Sequence, residues 1–194
     1  MVSQRSVGQS KRQDAPGALE IVRTFINTRD LELTTDDLSD PEGLRDWLSG
    51  HGLLDPSASV SPGEWRQAVE VREALRALAR RNSGRPISPE DTAALNRLSC
   101  DADVRLRYDL DGTQTLGPRH GEGVREALGR ILAIVGTTTL DGTWQRLKVC
   151  PAEGCLWAFY DHSRNRSGTW CQMAECGNRA KARAYRRRHS NAAE

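Results

Sequence analysis

Four cysteines stand late in this sequence as two matched pairs, Cys150-x4-Cys155 and Cys171-x4-Cys176, with fifteen residues between the pairs. Four thiolates suit a closed tetrahedral zinc site, because zinc is borderline-soft and has no d-electron preference to frustrate that geometry. Each pair spans a short turn, so both sulfurs can point to one centre. Pro151 and Gly154 equip the first turn, proline by presetting φ and glycine by permitting positive φ. Two disulfides or an iron–sulfur cluster would use the same four residues. A charged chain without a secretory signal argues for reduced thiols, and these spacings match neither common ferredoxin pattern. The expected chemistry is one structural Zn2+ per chain on Cys150, Cys155, Cys171 and Cys176. A closed four-thiolate shell keeps no position for water, so the metal is not expected to be catalytic. Cys100 stands alone and reads as a small buried apolar side chain.

The elements around the pairs follow from local pattern. Leu147-Lys148-Val149 and Leu156-Trp157-Ala158-Phe159-Tyr160 read as strands of a hairpin. Residues 173–188 lack proline, hold one glycine and four alanines, and predict a helix from about Met173 or Ala174. Cys171 would precede that helix and Cys176 would fall in its first turn, where the helix dipole favours a thiolate. Trp157 and Trp170 are expected as the small core of this module. His162 and His189 are expected on the surface.

The same helix carries the second candidate site. At roughly 100° per residue, Arg179, Arg183, Arg186 and Arg187 fall within about a third of a turn, with Lys181 and Arg188 on the far side. A guanidinium stripe suits phosphates and the guanine edges of a major groove. Arg164 and Arg166, in the loop before the second cysteine pair, are expected companions. The candidate nucleic-acid contacts are therefore Arg164, Arg166, Arg179, Lys181, Arg183, Arg186 and Arg187. Cys176 projects to the same side as Arg179, so Arg179 and Asn178 are equally placed to brace the metal knuckle.

Charge is unevenly spread along the 194 residues. Residues 1–143 carry 18 basic and 22 acidic side chains, whereas residues 144–194 carry 10 and 4. The net +2 thus hides an acidic body and a basic tail, which points to an anionic partner for the tail. Arginine outnumbers lysine 25 to 3.

The front of the chain supplies the frame. Residues 1–16 are polar, have no apolar core of a secretory signal, and are expected to be disordered. No apolar run is long enough to span a membrane. Helices are expected over 17–28, 41–49, 62–82, 89–98 and 123–135, from apolar residues at helical spacing and from the capping signatures Asp40-Pro41, Ser61-Pro62-Gly63-Glu64 and Ser88-Pro89-Glu90-Asp91. Residues 27–40 read as a polar loop. Arg72, Arg76 and Arg80 border the long third helix as a solvated edge. Strict alternation at Val104, Leu106, Tyr108 and Leu110, then Asp111-Gly112, predicts a β-hairpin. Thr137–Gly142 reads as the junction to the zinc module. The fold class expected is α+β: a mostly helical N-terminal domain with a small hairpin over 17–143. A treble-clef-like zinc module of hairpin knuckle and basic helix follows over 144–190.

Two resemblances accompany these readings. Residues 146–188 resemble the CGNR zinc finger, through both cysteine pairs, Phe159-x-Asp161-x-Ser163-Arg164-Asn165, Trp170-Cys171 and Cys176-Gly177-Asn178-Arg179. Residues 18–145 resemble the ABATE-type domain that commonly precedes that finger, through Ala18–Val22, Asn27-Thr28-Arg29 and Leu44-x-x-Trp47-Leu48. The usual leucine-rich opening of that domain is replaced here by Glu20–Thr28. The resemblance implies a bacterial stress-response transcription regulator, cytoplasmic and nucleoid-associated, whose front domain senses a small-molecule effector and whose finger meets double-stranded DNA. One finger makes few contacts, so a homodimer reading two half-sites is expected. An RNA-binding zinc protein and a zinc–thiolate redox sensor are the alternatives. No nucleophile elbow, P-loop, dinucleotide fingerprint or His-Glu-x-x-His appears. His51 and His120 lack an acid or nucleophile partner in the sequence, so no enzyme is expected.

Overall fold

The computed structural model describes residues 14–119 and 123–190. Helix α1 (Leu19–Ile26) buries Leu19, Val22, Phe25 and Ile26 along one face. Asp14 and Ala15, expected in a disordered start, pack onto it instead. Ala15 is buried and its N–H donates to Glu20, while Asp14 pairs with Arg23. The rest of that start lies outside the described residues, as does His120.

A short ladder, β1 (Arg29–Asp30) with β2 (Thr35–Asp36), interrupts the expected polar loop. Helix α2 (Pro41–Gly50) is capped by Asp40, which accepts from the Gly43 N–H. Helix α3 (Pro62–Arg81) opens on the anticipated capping box between Ser61 and Glu64. Helix α4 (Pro89–Asp101) is capped by Ser88 and runs three residues beyond its expected end. Cys100, expected to be buried, is exposed on it. Strands β3 (Arg105–Tyr108) and β4 (Gln114–Gly117) form the predicted hairpin. Helix α5 (Val124–Leu140) continues through residues expected to form the junction. Thr137, Thr138 and Thr139 turn their hydroxyls onto the carbonyls of Ala133, Ile134 and Val135, which seats three β-branched residues in a helix that propensity would end. Strands β5 (Leu147–Val149) and β6 (Ala158–Tyr160) pair antiparallel. A π-helical turn over Met173–Gly177 leads into α6 (Asn178–Ser190).

The zinc segment is fused to the helical body. Side chains alternate across a strand, and here both faces of β5–β6 are buried. Leu147, Val149, Ala158 and Tyr160 join the main core with α1, α3 and α5. Phe159 faces the cysteines.

Polar side chains from the body lock the hairpin in place. Asn27 Nδ2 donates to the Ala158 carbonyl at 2.8 Å, and its Oδ1 accepts from the Ala158 N–H at 2.7 Å. Asn82 Nδ2 donates to the carbonyls of Trp144 and Leu147 at 2.9 and 2.8 Å. Arg76 donates to the carbonyls of Leu156 and Ile26 at 2.8 and 2.7 Å. Arg72, only 1% exposed, grips Asp36 with both terminal nitrogens at 2.6 and 2.9 Å and also donates to Thr28. The solvated edge expected at Arg72 and Arg76 is therefore wrong. Both guanidiniums are buried, because Glu73 bonds the two of them and their remaining donors meet carbonyls and Asp36. Burial opposes the charge on Glu73, but Arg76 and Arg72 outweigh it and hold the carboxyl below its ordinary range.

Asn27→Ala leaves a buried N–H and a buried carbonyl of Ala158 without partners. A destabilisation of about 2–4 kcal/mol is expected in urea unfolding, with faster proteolysis of the zinc segment. Unchanged stability would show that the clamp contributes nothing.

Candidate metal centre and nucleic-acid interface

The four cysteine sulfurs lie within 4.8 Å of one another. Cys155 and Cys171 are 3.5 Å apart, Cys171 and Cys176 3.7 Å, and all four are free thiols. A tetrahedron with Zn–S bonds of about 2.3 Å has S···S edges of about 3.8 Å. Donor type, number and spacing fit one structural zinc. In the knuckle, the Cys150 N–H donates to the Trp157 carbonyl at 2.9 Å, and the N–H groups of Cys155 and Leu156 share the Ala152 carbonyl. The positive φ expected at Gly154 falls at Leu156 instead, at 49°. Four crowded thiols cannot all ionise without a cation. Hydrogen bonds from Cys155 and Cys171 hold the Cys150 thiol well below its ordinary range. Hydrogen bonding with Cys150 pushes the Cys155 and Cys171 thiols up.

Cys171 precedes the helical turn, as expected, while Cys176 lies in a π-helical turn rather than in a plain α-helical one. Gln172, extended at φ −139° and ψ 123°, joins Cys171 to the start of the turn. The wide turn is closed by the Gly177 N–H on the Gln172 carbonyl at 3.2 Å, and Cys176 in it comes within 3.7 Å of Cys171. A Cβ on Gly177 would collide with Met173 and press on Trp170. Asn178 Nδ2 donates to the Ala174 carbonyl at 3.0 Å. Arg179 donates to Cys176 Sγ at 3.1 Å and to Glu32 Oε1 at 2.8 Å. Within Cys176-Gly177-Asn178-Arg179, the cysteine is thus a ligand and the glycine permits close approach. The asparagine ties down a carbonyl, and the arginine braces the knuckle.

The loop of residues 162–169 hangs on a buried ion pair. Lys148 Nζ reaches Asp161 Oδ2 at 2.8 Å and the carbonyls of Arg166 and Gly168 at 2.6 and 3.0 Å. Asp161, 3% exposed, also accepts from the Ser163 and Gly168 N–H groups. Burial works against its charge, but the hydrogen bonds from Lys148, Ser163 and Gly168 prevail and hold the carboxyl at about 2. Trp157 and Phe159 fill the space beside the cysteines, with Trp170 packed against them. His162 and His189 are on the surface, as expected, and His51 stacks on Trp47.

Helix α6 stands clear of the body. Lys181, Arg183, Arg186 and Arg187 are exposed, as are Arg164 and Arg166 in the loop. Only Ala180 and Ala184 have much cover between residues 180 and 189. Arg179 differs from the rest of the stripe through its bonds to Glu32 and Cys176. The residues missed from sequence are Asn27, Arg72, Arg76, Asn82, Lys148 and Glu32. The unbroken apolar run Leu156–Tyr160 was the available signal that β6 is covered on both faces. Between the end of α3 and the loop lies a cavity of about 530 Å³, lined by Arg80, Arg85, Lys148, Arg166 and Trp170 among others. Arg80, Arg85 and Arg166 form no ion pair among the described residues.

The model of the CGNR zinc finger family matches residues 146–189. The ABATE family model, described as "Putative stress-induced transcription regulator", matches residues 18–141. No curated protein matches the chain.

Metal analysis is expected to return one zinc per chain. Stripping it with a chelator should lower the melting temperature of the whole chain in one transition, because β5–β6 belongs to the common core. Complete zinc removal with an unchanged transition would contradict this. Asp161→Ala leaves the Lys148 ammonium buried without its counter-ion. A loss of about 3 kcal/mol in chemical denaturation is expected, together with faster zinc transfer to a chromogenic chelator.

Proposed function

The chain belongs to the ABATE family and carries a CGNR zinc finger over residues 146–189, and from that premise we propose that it is a DNA-binding transcription regulator. The carrying observation is α6, a basic helix anchored at its base by the metal knuckle and exposed along its length. Arg183, Arg186 and Arg187 meet phosphate and base edges in a major groove, with Lys181, Arg164 and Arg166 contributing charge alongside. Arg179 acts mainly at the knuckle, since Glu32 and Cys176 already occupy its guanidinium. Two chains reading two half-sites supply the contacts that one finger lacks. The protein works in the cytoplasm, on the nucleoid.

We place effector sensing in the arginine-lined cavity beside the loop. A small anionic ligand there would join α3 to the segment that carries Arg164 and Arg166. An Arg80→Ala/Arg85→Ala double variant whose ligand response equals that of the parent would remove this placement.

The test is selection of genomic fragments by the zinc-loaded protein at near-physiological salt. A few sharply enriched sites are expected. Uniform, salt-sensitive recovery would mean non-specific electrostatics, and preference for single-stranded or structured RNA would select an RNA partner instead. Replacing Arg183, Arg186 and Arg187 by alanine is expected to flatten the slope of log affinity against log salt by about 2.7 per finger. A triple variant with parental affinity and slope would exclude the stripe. Loss of zinc and binding in mild peroxide would favour a thiol sensor, whereas the buried cysteines are expected to resist.

A further inference from the structure

Strand β3 is the open edge of its sheet: among the described residues it pairs only with β4. The Asp109 N–H reaches the Thr113 carbonyl at 2.9 Å. Backbone bonding alternates along an antiparallel ladder, so Arg105 and Arg107 also turn their backbone groups to β4. Those of Leu106 and Tyr108 point outward. Along this edge the sequence is Arg105-Leu106-Arg107-Tyr108-Asp109-Leu110-Asp111. Read outward from Tyr108, it is symmetric in shape and antisymmetric in charge.

The apolar side chains of this stretch are uncovered. Leu106 is 50% and Tyr108 68% exposed, and Leu110 is fully exposed. Leu116, opposite Leu106, meets α5 at Gly136, while Pro118 meets it at Gly129. The hairpin therefore runs alongside α5 with its tip toward Leu140, which is also exposed. Helix α5 covers the β4 side of this face and leaves the β3 side open.

We infer that β3 is a homodimer interface, pairing antiparallel with β3 of a second copy about a twofold axis at Tyr108. Tyr108 then exchanges backbone hydrogen bonds with its own copy, since its N–H and C=O already face outward. Arg107 lies across from the partner's Asp109, and Arg105 is carried toward the partner's Asp111. Leu106 meets the partner's Leu110. These outer matches are between side chains, because residues 109–112 form the turn closed by the Gly112 N–H on the Asp109 carbonyl. The result is a four-stranded sheet. The two copies of α5 flank one face, and the leucines and tyrosines of both chains fill the space between them.

The charges decide the register. Parallel pairing would set arginine on arginine and aspartate on aspartate. An antiparallel register centred on Arg107 would oppose Arg107 to itself and Asp103 to the partner's Asp111. Like charges directly opposite are destabilising, so the arrangement about Tyr108 alone matches every site. Arg105 also pairs with Asp103 in its own chain, and Asp111 accepts from the Thr113 N–H. Solvent-facing ion pairs contribute little energy. The ladder and the apolar face therefore hold the copies together, while the charges choose the alignment.

This inference deepens the dimer proposed above, and it is read without DNA. The zinc-loaded full chain is weighed by light scattering or sedimentation across a concentration series. The parent is expected at twice the 21.5 kDa chain mass. Arg107→Asp places aspartate against the partner's Asp109, and Asp109→Arg places arginine against Arg107, so each variant alone is expected to reach the dimer mass only at higher concentration than the parent. Mixed, they present two opposite-charge pairs and should form a heterodimer. The Arg107→Asp/Asp109→Arg double variant should recover the homodimer. Circular dichroism and zinc content confirm that each variant is folded. A parent that stays monomeric where it saturates DNA overturns the dimer and this surface together. A parent dimer whose charge variants dimerise as tightly as the parent, or whose complementary mixture dimerises no better than either variant alone, overturns the surface and leaves the dimer standing.

Discussion

The rest of the structure depends on one constraint: a hairpin of three residues per strand must be buried on both faces. Such a hairpin is not stable alone. One face of β5–β6 contributes Leu147, Val149, Ala158 and Tyr160 to the helical core, and Phe159 on the other face packs against the cysteines. The outer edge of β6 would be an exposed ladder, and Asn27 closes it. Its amide offers one donor and one acceptor in the plane of the strand, so it acts there as a single residue of a third strand. Arg76 and Asn82 finish the neighbouring carbonyls. The metal and the helical body therefore support one another through a shared wall.

That arrangement explains how arginine is used. Inside the body, Arg72 and Arg76 each spread their donors over several acceptors, which suits a planar fork with five N–H groups. Lys148 is the exception. Its ammonium has three donors, and the site offers three acceptors: Asp161 and the carbonyls of Arg166 and Gly168. A buried charge is tolerated when its partners are complete. In the loop and along α6, by contrast, the arginines are exposed. The same residue type serves as internal scaffold in one part and as solvent-facing charge in the other.

Local signals in the sequence carried most of the elements. The cysteine spacing gave the metal, helical periodicity gave α1 to α5, and the capping signatures at Asp40, Ser61 and Ser88 marked three helix starts. What the sequence could not disclose was long-range. Arg72 looks like the border of a helix, because Asp36 and Thr28 lie far away in the chain, and only the fold brings them together. Asn27 is a polar residue at a helix end until Ala158, 131 positions later, becomes its neighbour. The π turn has no periodicity of its own. It is recognised only from the Gly177 N–H meeting the Gln172 carbonyl, five residues back. Thr137–Thr139 misled for a different reason: helix propensity is a weak prior, and three hydroxyl-to-carbonyl bonds override it. Strict alternation in β3 correctly predicted a strand, yet its apolar side stays uncovered.

Helix α6 is the element least justified by stability. Thirteen residues make a marginal helix in water. Arg179, Arg183 and Arg187 stand four apart, Arg183 and Arg186 three apart, and like charges at those spacings repel. Little apolar surface is buried in return, since between residues 180 and 189 only Ala180 and Ala184 are partly covered. The helix must therefore be held from its base, by the turn around Cys176, the Asn178 bond to Ala174 and the tie from Arg179 to Glu32. Metal binding is folding free energy in sites of this kind, and here it is directed into a helix whose own side chains oppose it. A sequence that breaks local rules in one place, while obeying them elsewhere, usually does so for function. The repulsion along α6 is what a row of phosphates would relieve.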